Sequence, residues 1–317
     1  MNDVTVMILG ANGLLGQKLT EFLTRGTTSR LVLAGRSPAP RVQVPDTTYV
    51  QLDITRKQDV RKAVAEHKPA VIINAAAITN VDACETERES AWKVNVTGVE
   101  YVIEAAKKTG SRVIHLSTDY IFDGKHGPYT ENDKPDPVNY YGRAKLASEN
   151  QLRASGMRFL IVRTMVLYGI AAEVKSNFAL WLIRSLEERK PVRIVEDQFG
   201  NPTLVDDLAH GIISAMELDK TGTYHIAGRD IISRYSFAVK LAEVFGLEKE
   251  LITPIKTSEL SQPAPRPLKS GLVTLKAEVE LGYRPSTVEE GLTVLKGQLS
   301  RGPKRLPDSA PIPGRKR

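Results

Sequence analysis

A phenol and an ammonium group stand four residues apart in this chain, at Tyr141 and Lys145. On a helix this spacing places both side chains on one face, where the lysine charge would lower the pKa of the tyrosine. A tyrosine so placed can give a proton to a carbonyl oxygen while a hydride reaches the carbon. We therefore predict that Tyr141 is a general acid assisted by Lys145. Tyr140 is the alternative phenol, but it faces Lys145 less well.

Two further polar residues are candidates for the same chemistry. Thr118 closes an apolar run, and its hydroxyl could polarise a substrate carbonyl, with the neighbouring Ser117 as the alternative. Asn95 lies inside a predicted helix, where an amide is a mediocre helix former. It could hold a water in a proton relay to Lys145, or it could be satisfied by the local backbone.

A glycine-rich turn near the N-terminus predicts the source of the hydride. Gly10, Gly13 and Gly16 follow the apolar run 4–9 and open a helical pattern over 14–24. Glycines in this context let the pyrophosphate of a dinucleotide lie on a helix N-terminus. A nicotinamide dinucleotide beside a proton-donating tyrosine would transfer a hydride to or from a carbonyl. The predicted cofactor contacts in this turn are Gly10, Asn12, Gly13, Leu14, Leu15 and Gly16.

The residues that follow the next strands bear on the choice of cofactor. Arg36 and Ser37 end the second predicted strand, with no acid nearby, and an arginine there suits the 2′-phosphate of NADP. The alternative is a solvated surface arginine, so NAD stays open. Asp53 could accept a hydrogen bond from the adenine amino group. The remaining predicted cofactor contacts are Ile54, the small residues Ala75, Ala76 and Ala77, and Ser117, Tyr141 and Lys145.

Charge and composition exclude several classes of function. The net charge is +7, but residues 301–317 carry +5 and the first 300 residues only +2. The body of the protein is thus near neutral, and we predict no nucleic-acid partner. No apolar run approaches the roughly 18 residues of a membrane span, so no membrane partner is predicted. The single cysteine, Cys84, fits a reducing cytoplasm, and the scattered histidines predict no metal site. A homodimer stays open.

Short apolar runs alternate with helical patterns through the first half of the chain. This alternation predicts an α/β fold of Rossmann type: a doubly wound parallel sheet with a smaller C-terminal α/β substrate lobe. We predict an NADP-binding domain over 1–168 and a mainly substrate-binding lobe over 169–298, from which the chain crosses back. A basic, proline-rich tail over 299–317 should be solvated and mobile. One helix is expected over 87–108, and Asp206 or Asp207 is expected to cap another.

With these motifs in place, the chain resembles the extended short-chain dehydrogenase/reductase superfamily and, within it, the dTDP-4-dehydrorhamnose reductases. The runs that carry the resemblance are 74–77, 81–82, 117–122, 141–145, 177–178, 197–203 and 266–267. The resemblance implies NADPH-dependent reduction of a 4-keto group on a nucleotide-linked deoxysugar, with the proton coming from Tyr141. It also implies a sugar-nucleotide pocket lined by Asn177, Gln198, Thr203 and Arg266, with Arg266 as a partner of the diphosphate.

One segment departs from the reductase pattern. Reductases of this kind typically show Arg-Thr-Ser-Trp-Val-Tyr, but this chain has Met165 and Val166 in place of the serine and tryptophan. The missing tryptophan would stack on the sugar, so the identity of the sugar stays open. The sequence of residues 166–169 is also similar to the corresponding segment of the methionine adenosyltransferase regulatory β subunit, a partner protein that binds NADP. Tyr120 stands where nucleotide-sugar dehydratases carry the glutamate needed to eliminate water. A nucleotide-sugar 4-epimerase and a non-catalytic NADP-binding regulatory subunit stay open.

Overall fold

The computed structural model describes residues 4–26, 29–174 and 177–301. Its strands are β1 Thr5–Leu9, β2 Arg30–Gly35, β3 Thr47–Gln51, β4 Val71–Asn74, β5 Arg112–Thr118, β6 Phe159–Thr164, β7 Leu167–Tyr168, β8 Val192–Val195, β9 Phe199–Gly200, β10 Thr203–Leu204, β11 Gly222–His225, β12 Ile232–Ser233 and β13 Ile252–Ile255. Its α-helices are α1 Leu14–Gly26, α2 Lys57–His67, α3 Val81–Thr86, α4 Arg88–Trp92, α5 Gly98–Thr109, α6 Tyr140–Ala154, α7 Phe178–Glu187, α8 Val205–Glu217, α9 Arg234–Phe245, α10 Leu275–Leu281 and α11 Val288–Arg301. A π-helical turn spans Lys93–Thr97, and 3₁₀ turns span Asp119–Ile121, Lys249–Leu251 and Thr257–Glu259.

Seven parallel strands form the main sheet, in the order β11-β6-β5-β4-β1-β2-β3. Its central strands are nearly continuous apolar runs because helices cover both faces. Helices α1 and α8 pack on one face, and α2 and α5 pack on the other. The predicted doubly wound α/β fold is confirmed. Because the strands are parallel, the turn after β1 and the end of β5 lie at the same edge of the sheet.

The smaller lobe has its own apolar core, formed mainly by α7, α9 and α11 with the parallel pair β8 and β13. The chain also crosses back into the first lobe. Strand β11 joins the main sheet beside β6, and α8 packs against α1. Residues 169–298 therefore contribute to both lobes, and position 168 does not divide the chain cleanly.

Helix α8 is not capped as predicted. Its N-cap is Leu204, which provides no side-chain cap, and both aspartates lie within the first helical turn. Asp206 accepts a hydrogen bond from Lys18 Nζ at 3.0 Å, and Asp207 accepts one from the Ser286 N–H at 3.0 Å. The predicted capping role is wrong, because both carboxylates bind other segments. Their charges still favour the positive end of the helix dipole.

The helix expected over 87–108 is interrupted by the π-turn Lys93–Thr97, which contains Asn95. The Asn95 Oδ1 accepts a hydrogen bond from the Ile78 N–H at 2.9 Å, and its Nδ2 donates to the Ile78 carbonyl at 2.9 Å. The amide thus fixes the loop after β4, not the local backbone of its own helix. π-Turns of this kind mark places where a helix departs from regular packing. The water relay to Lys145 stays a prediction.

Within the described ranges, every helix is too short or too polar to cross a bilayer. Helix α11 extends to Arg301, so the predicted tail begins in helical structure at 299–301. The rest of that tail, over 302–317, lies outside the described residues.

Candidate active site

Helix α6 carries the predicted phenol and amine. Asn139 caps this helix, and its side-chain oxygen accepts a hydrogen bond from the Gly142 N–H at 2.9 Å. Gly142 allows the helix to approach the turn after β5, since a Cβ there would lie 2.0 Å from the Tyr120 carbonyl oxygen. Tyr141 and Lys145 are therefore held at the carboxyl edge of the sheet, where they are only 8% and 2% exposed.

Tyr141 meets Thr118 at the end of β5. Its ring packs edge-on against Tyr120, with the ring centroids 5.7 Å apart. Burial raises the pKa of Tyr141, the charge of Asp119 raises it further, and a hydrogen bond with Thr118 acts in the opposite direction. The prediction that Lys145 lowers this pKa is wrong for this structure. The phenol is protonated at neutral pH, which is the form that a general acid needs.

The amine of Lys145 is directed at β5 instead. Its Nζ lies 3.0 Å from the Nε2 of His115, which is fully buried. Burial lowers the pKa of Lys145 to about 8, although the charge of Glu149 opposes this. Burial and then the charge of Lys145 lower the pKa of His115 well below its ordinary value. The imidazole is thus uncharged at neutral pH, whereas the pKa of Lys145 lies only slightly above neutral pH.

The two hydroxyls at the end of β5 have different partners. Thr118 Oγ1 donates to Asp119 Oδ1 at 3.1 Å and accepts a hydrogen bond from the Tyr120 N–H at 3.2 Å. Ser117 Oγ donates to Glu149 Oε1 at 2.5 Å. Thr118 is therefore the hydroxyl beside the phenol, whereas Ser117 supports a buried carboxylate.

Glu149 is a buried residue that we did not predict as part of the site. Its carboxylate accepts two hydrogen bonds from Arg163 on β6, at 3.0 and 2.9 Å, and both side chains are almost completely buried. Burial alone would raise the pKa of Glu149, but the hydrogen bonds and charge of Arg163 outweigh it and lower the pKa. Glu149 follows Tyr141 and Lys145 at intervals of four residues, so helical spacing could have indicated it.

The glycine-rich turn between β1 and α1 fits a dinucleotide. Gly10 has a φ of +80°, and a Cβ there would lie 2.9 Å from the backbone of Ala75 and Ala76. A Cβ on Gly16 would lie 2.3 Å from the Gly10 carbonyl oxygen. Only glycine permits this close packing. The first N–H groups of α1 have no partner within the helix and are suited to bind a pyrophosphate.

Asn12 organises the loop that follows β2. Its Oδ1 accepts a hydrogen bond from the Arg41 N–H at 3.0 Å, and its Nδ2 donates to the Ala39 carbonyl and the Tyr49 hydroxyl, both at 3.1 Å. The Arg41 guanidinium donates to the Asn12 carbonyl at 3.3 Å. The side chain of Asn12 thus shapes the rim of the cofactor site. Arg41 adds a cation there that the sequence did not indicate.

Arg36 and Asp53 lie near each other at the ends of β2 and β3. Arg36 is exposed, and the backbone oxygen of the adjacent Ser37 accepts a hydrogen bond from the Tyr49 hydroxyl at 2.9 Å. Burial would raise the pKa of Asp53, but hydrogen bonds from Thr55 and the charge of Arg36 lower it. An exposed cation therefore stands at the rim of the predicted adenosine site. The adjacent Ile54 is buried and lies close to Gly98.

A crevice beside Tyr120 contains part of the predicted substrate set. Gln198 lines this crevice and donates a hydrogen bond to Thr257 Oγ1 at 3.1 Å. Asn177 caps α7: its Oδ1 accepts a hydrogen bond from the Leu180 N–H at 3.2 Å, and its Nδ2 donates to the Gly169 carbonyl at 2.7 Å. Gln198 is thus placed to meet a ligand, whereas Asn177 has a structural role at the helix start.

Thr203 and Arg266 are engaged within the protein. Thr203 is fully buried, donates to the Asn201 carbonyl at 2.9 Å and accepts a hydrogen bond from the Gly228 N–H at 3.0 Å. It connects two loops, and its complete burial contradicts the prediction that it lines the sugar-nucleotide pocket. Arg266 pairs with Asp82 at 2.8 Å, with both side chains 9% exposed. A diphosphate that binds Arg266 must therefore share it with this carboxylate.

Arg234 also lines the crevice, at the start of α9. Its guanidinium lies 5.5 Å from the ring centroid of Phe178. Burial lowers the pKa of Arg234, while Tyr120 and Asp119 act in the opposite direction. Asp119 accepts a hydrogen bond from Ser270 at 2.7 Å, and burial raises its pKa to about 6. Sequence did not indicate Arg234, because an arginine at the start of a helix has no distinguishing pattern.

Cys84 is a buried thiol that is protonated at neutral pH. Burial raises the pKa of Cys84 to about 11, and Glu85 and Glu87 add to the effect. No three His, Cys, Asp or Glu side chains within the described ranges come together as a metal site.

The family model described as the RmlD substrate binding domain matches residues 4–299. The chain belongs to this family. It is 34% identical to a dTDP-4-dehydrorhamnose reductase of Aggregatibacter actinomycetemcomitans in an alignment 299 positions long, which covers 90% of this chain and 96% of the relative. The predicted resemblance to the reductases is confirmed.

Solved structures of RmlD-type reductases have the same fold. A dTDP-4-dehydrorhamnose reductase from Clostridium acetobutylicum superposes with a TM-score of 0.83 at 34% identity, covering 93% of this chain and 99% of that one. A Bacillus anthracis dTDP-4-dehydrorhamnose reductase in complex with NADP has a TM-score of 0.80 at 31% identity, with coverages of 93% and 99%.

The segment that departs from the reductase pattern lies in the crevice of this RmlD-family chain. Val166 lines the crevice and has a φ of +47°, a left-handed conformation that is unfavourable for a β-branched residue. Met165 is buried, and its Sδ accepts a hydrogen bond from the Asn201 N–H at 3.3 Å. Val166 thus forms the wall where the reductase pattern has tryptophan.

Proposed function

We propose that this RmlD-family protein is an NADP-dependent oxidoreductase that reduces the 4-keto group of a nucleotide-linked deoxysugar. The observation that supports this best is the meeting of Tyr141 and Thr118 at the carboxyl end of β5. A buried, protonated phenol beside a hydroxyl suits donation of a proton to a carbonyl oxygen. The match to reductases over nearly the whole chain supports the same activity.

Each residue has a distinct role in this proposal. When bound at the glycine-rich turn, NADPH supplies the hydride. Tyr141 holds the proton that passes to the carbonyl oxygen. The Thr118 hydroxyl, which donates to Asp119 in the free protein, turns to donate a hydrogen bond that polarises the carbonyl. With the cofactor bound, the charged form of Lys145 would bind the ribose and favour the phenolate that remains after the proton has left, an effect that its amine does not have while it is directed at His115. Asn95 maintains the loop after β4 through Ile78.

Two guanidinium groups are suited to the phosphates of the substrate. Arg234 lies in the crevice with Gln198, and the charge of Arg266 acts on Arg234. Guanidinium groups form short, charge-assisted hydrogen bonds with phosphate oxygens. We assign the diphosphate of the nucleotide sugar to this pair, with Asp82 holding Arg266 in place before the substrate binds.

A screen of keto-sugar nucleotides, followed by NADPH absorbance, tests the function. We expect steady NADPH oxidation with a 4-keto-6-deoxy sugar nucleotide. Conversion of the sugar without net NADPH oxidation would identify a 4-epimerase. Binding of NADP with no turnover of any substrate would identify a regulatory subunit.

Arg36 should set the preference for NADPH over NADH. Replacing it with alanine removes a charge-assisted contact to the 2′-phosphate, so Kd for NADPH should rise about ten- to hundredfold while Kd for NADH changes little. Fluorescence titration measures both constants. Arg61→Ala removes another exposed cation, on α2, and serves as the control. An equal rise for both cofactors would contradict the assignment.

We also propose a cytoplasmic location, which the single, buried Cys84 supports. A homodimer stays a prediction, and light scattering of the purified protein tests it.

A further inference from the structure

A chain of buried polar groups lies beneath the proposed active site. Asn74 at the end of β4, His115 on β5 and Ser148 on α6 are each at most 1% exposed. Asn74 Nδ2 lies 3.2 Å from His115 Nδ1, and His115 Nε2 lies 3.0 Å from Ser148 Oγ. The same Nε2 lies 3.0 Å from Lys145 Nζ. The ring therefore connects the strand edge at the cofactor site to the amine of Lys145.

The donors and acceptors in this chain select one tautomer of His115. The Asn74 Oδ1 accepts a hydrogen bond from the Ala76 N–H at 3.2 Å, so the amide nitrogen must face the ring. An amide nitrogen is only a donor, so Nδ1 of His115 must be the acceptor. A neutral imidazole has one N–H, which then lies on Nε2. Reversing the Asn74 amide would set two N–H donors against each other.

The proton on Nε2 determines which form of Lys145 fits the site. Ser148 donates its own proton to the Lys145 carbonyl at 2.7 Å. Toward the ring, its oxygen can therefore act only as a hydrogen-bond acceptor. A neutral lysine amine has a lone pair that can also accept from Nε2–H, whereas an ammonium group has three donors and no acceptor. The hydrogen-bond chain thus favours the uncharged amine.

Nearby charges do not override this preference. Glu149 is the charged group that acts on Lys145 among the described residues, and Arg163 and Ser117 already occupy its oxygens. Other titratable or charged groups on elements that pack against α6 are Asp82, Cys84 and Glu85 on α3, Arg88 and Glu89 on α4, Lys93 in the π-turn, Glu100, Tyr101, Glu104, Lys107 and Lys108 on α5, Arg112 on β5, Asp119 and Tyr120 in the 3₁₀ turn and Arg163 on β6.

We propose that His115 is a positioning residue: held as the Nε2–H tautomer by Asn74, it stabilises the uncharged form of the Lys145 amine and directs that amine at β5 until the cofactor binds. The inference rests on the proposed function, in which Lys145 acts as a cation. An anionic dinucleotide favours the ammonium form, so NADPH binding should take up a proton from solvent onto Lys145. The lowered pKa of Lys145, about 8, agrees with this, since the uncharged amine is the major form in the free protein above that pH.

The tautomer can be tested without any ligand. Nitrogen-15 NMR of histidine-labelled protein distinguishes a protonated ring nitrogen from an unprotonated one, and His115→Leu identifies the signal. We expect Nε2 protonated and Nδ1 bare in the wild type. Asn74→Asp should move the proton to Nδ1, because a carboxylate only accepts. A wild-type ring with its proton on Nδ1, or a charged ring, would overturn the proposal.

Calorimetry tests the consequence for the cofactor. NADPH is titrated at pH 8.5 in two buffers that differ in ionisation enthalpy, which gives the protons taken up per site. Because the pKa of Lys145 is about 8, the wild type should take up more than about half a proton. Asn74→Asp should take up much less, since Nε2 then accepts from the ammonium in the free protein. His126→Leu, at an exposed histidine, should match the wild type.

Several outcomes separate this inference from the function on which it rests. Equal uptake by the wild type and Asn74→Asp, or no uptake by the wild type, would overturn the role of His115. Combining Asn74→Asp with His115→Leu should abolish the effect of the first change, because the ring that transmits it is gone. If the double variant behaves like Asn74→Asp alone, the carboxylate acts directly and the proposal is wrong. Failure of NADPH to bind the wild type would instead reject the proposed function.

Discussion

Tyr141→Phe is expected to lower kcat for the keto-sugar nucleotide at least about 100-fold, because it removes the proton donor and leaves the ring in place. The hydroxyl meets Thr118 and is kept protonated by burial and by Asp119, so its loss leaves the carbonyl oxygen without an acid. The ring still packs against Tyr120, so stability should change little. Initial rates of NADPH oxidation at saturating substrate measure the effect.

Tyr140→Phe is the matched control for this change. Tyr140 precedes the proposed acid on the same helix, and its ring packs against Trp92 and lies under the Arg88 guanidinium. Loss of this second phenol should leave kcat nearly unchanged. A large fall in Tyr140→Phe with a small fall in Tyr141→Phe would exchange their roles. Full activity in both variants would exclude a tyrosine acid altogether.

The main elements of the fold could be predicted from local pattern. Buried parallel strands are continuous apolar runs, and β1, β4 and β5 were visible for that reason. The π-turn at Lys93–Thr97 was not, because it depends on a contact between Asn95 and Ile78 in another part of the chain. The cap of α8 was predicted wrongly for the same reason, since distant partners bind both of its aspartates.

The site was predictable where chemistry follows from spacing along one element. The four-residue interval of Tyr141 and Lys145 correctly places both on the buried face of α6. It does not determine where the amine is directed, because His115 on another strand binds it. Thr203 was assigned to the pocket through resemblance, yet its burial and hydrogen bonds are set by loops that no short motif describes. Contacts between elements therefore account for the errors.

Glu149→Gln is expected to lower the free energy of unfolding by about 3–5 kcal/mol, because it leaves a buried guanidinium without its counter-charge. Arg163 is 1% exposed and donates two hydrogen bonds to this carboxylate. Glutamine keeps the shape but can offer only one acceptor oxygen. Urea unfolding at pH 7 measures the change. Glu248→Gln, which breaks an exposed ion pair with Arg189, is the control and should have little effect.

The pH dependence of this difference in unfolding free energy tests whether the charge of Glu149 is its cause. The pKa of Glu149 is lowered in the folded protein, so its stabilisation is complete above the ordinary value of 4.5 and is lost as the pH falls through the folded pKa. The wild type and Glu149→Gln should therefore converge in stability under acid conditions. Replacing the pair together, as Glu149→Leu with Arg163→Met, should recover much of the loss, since no unpaired charge remains. A constant difference at every pH would mean that shape, not charge, determines the effect.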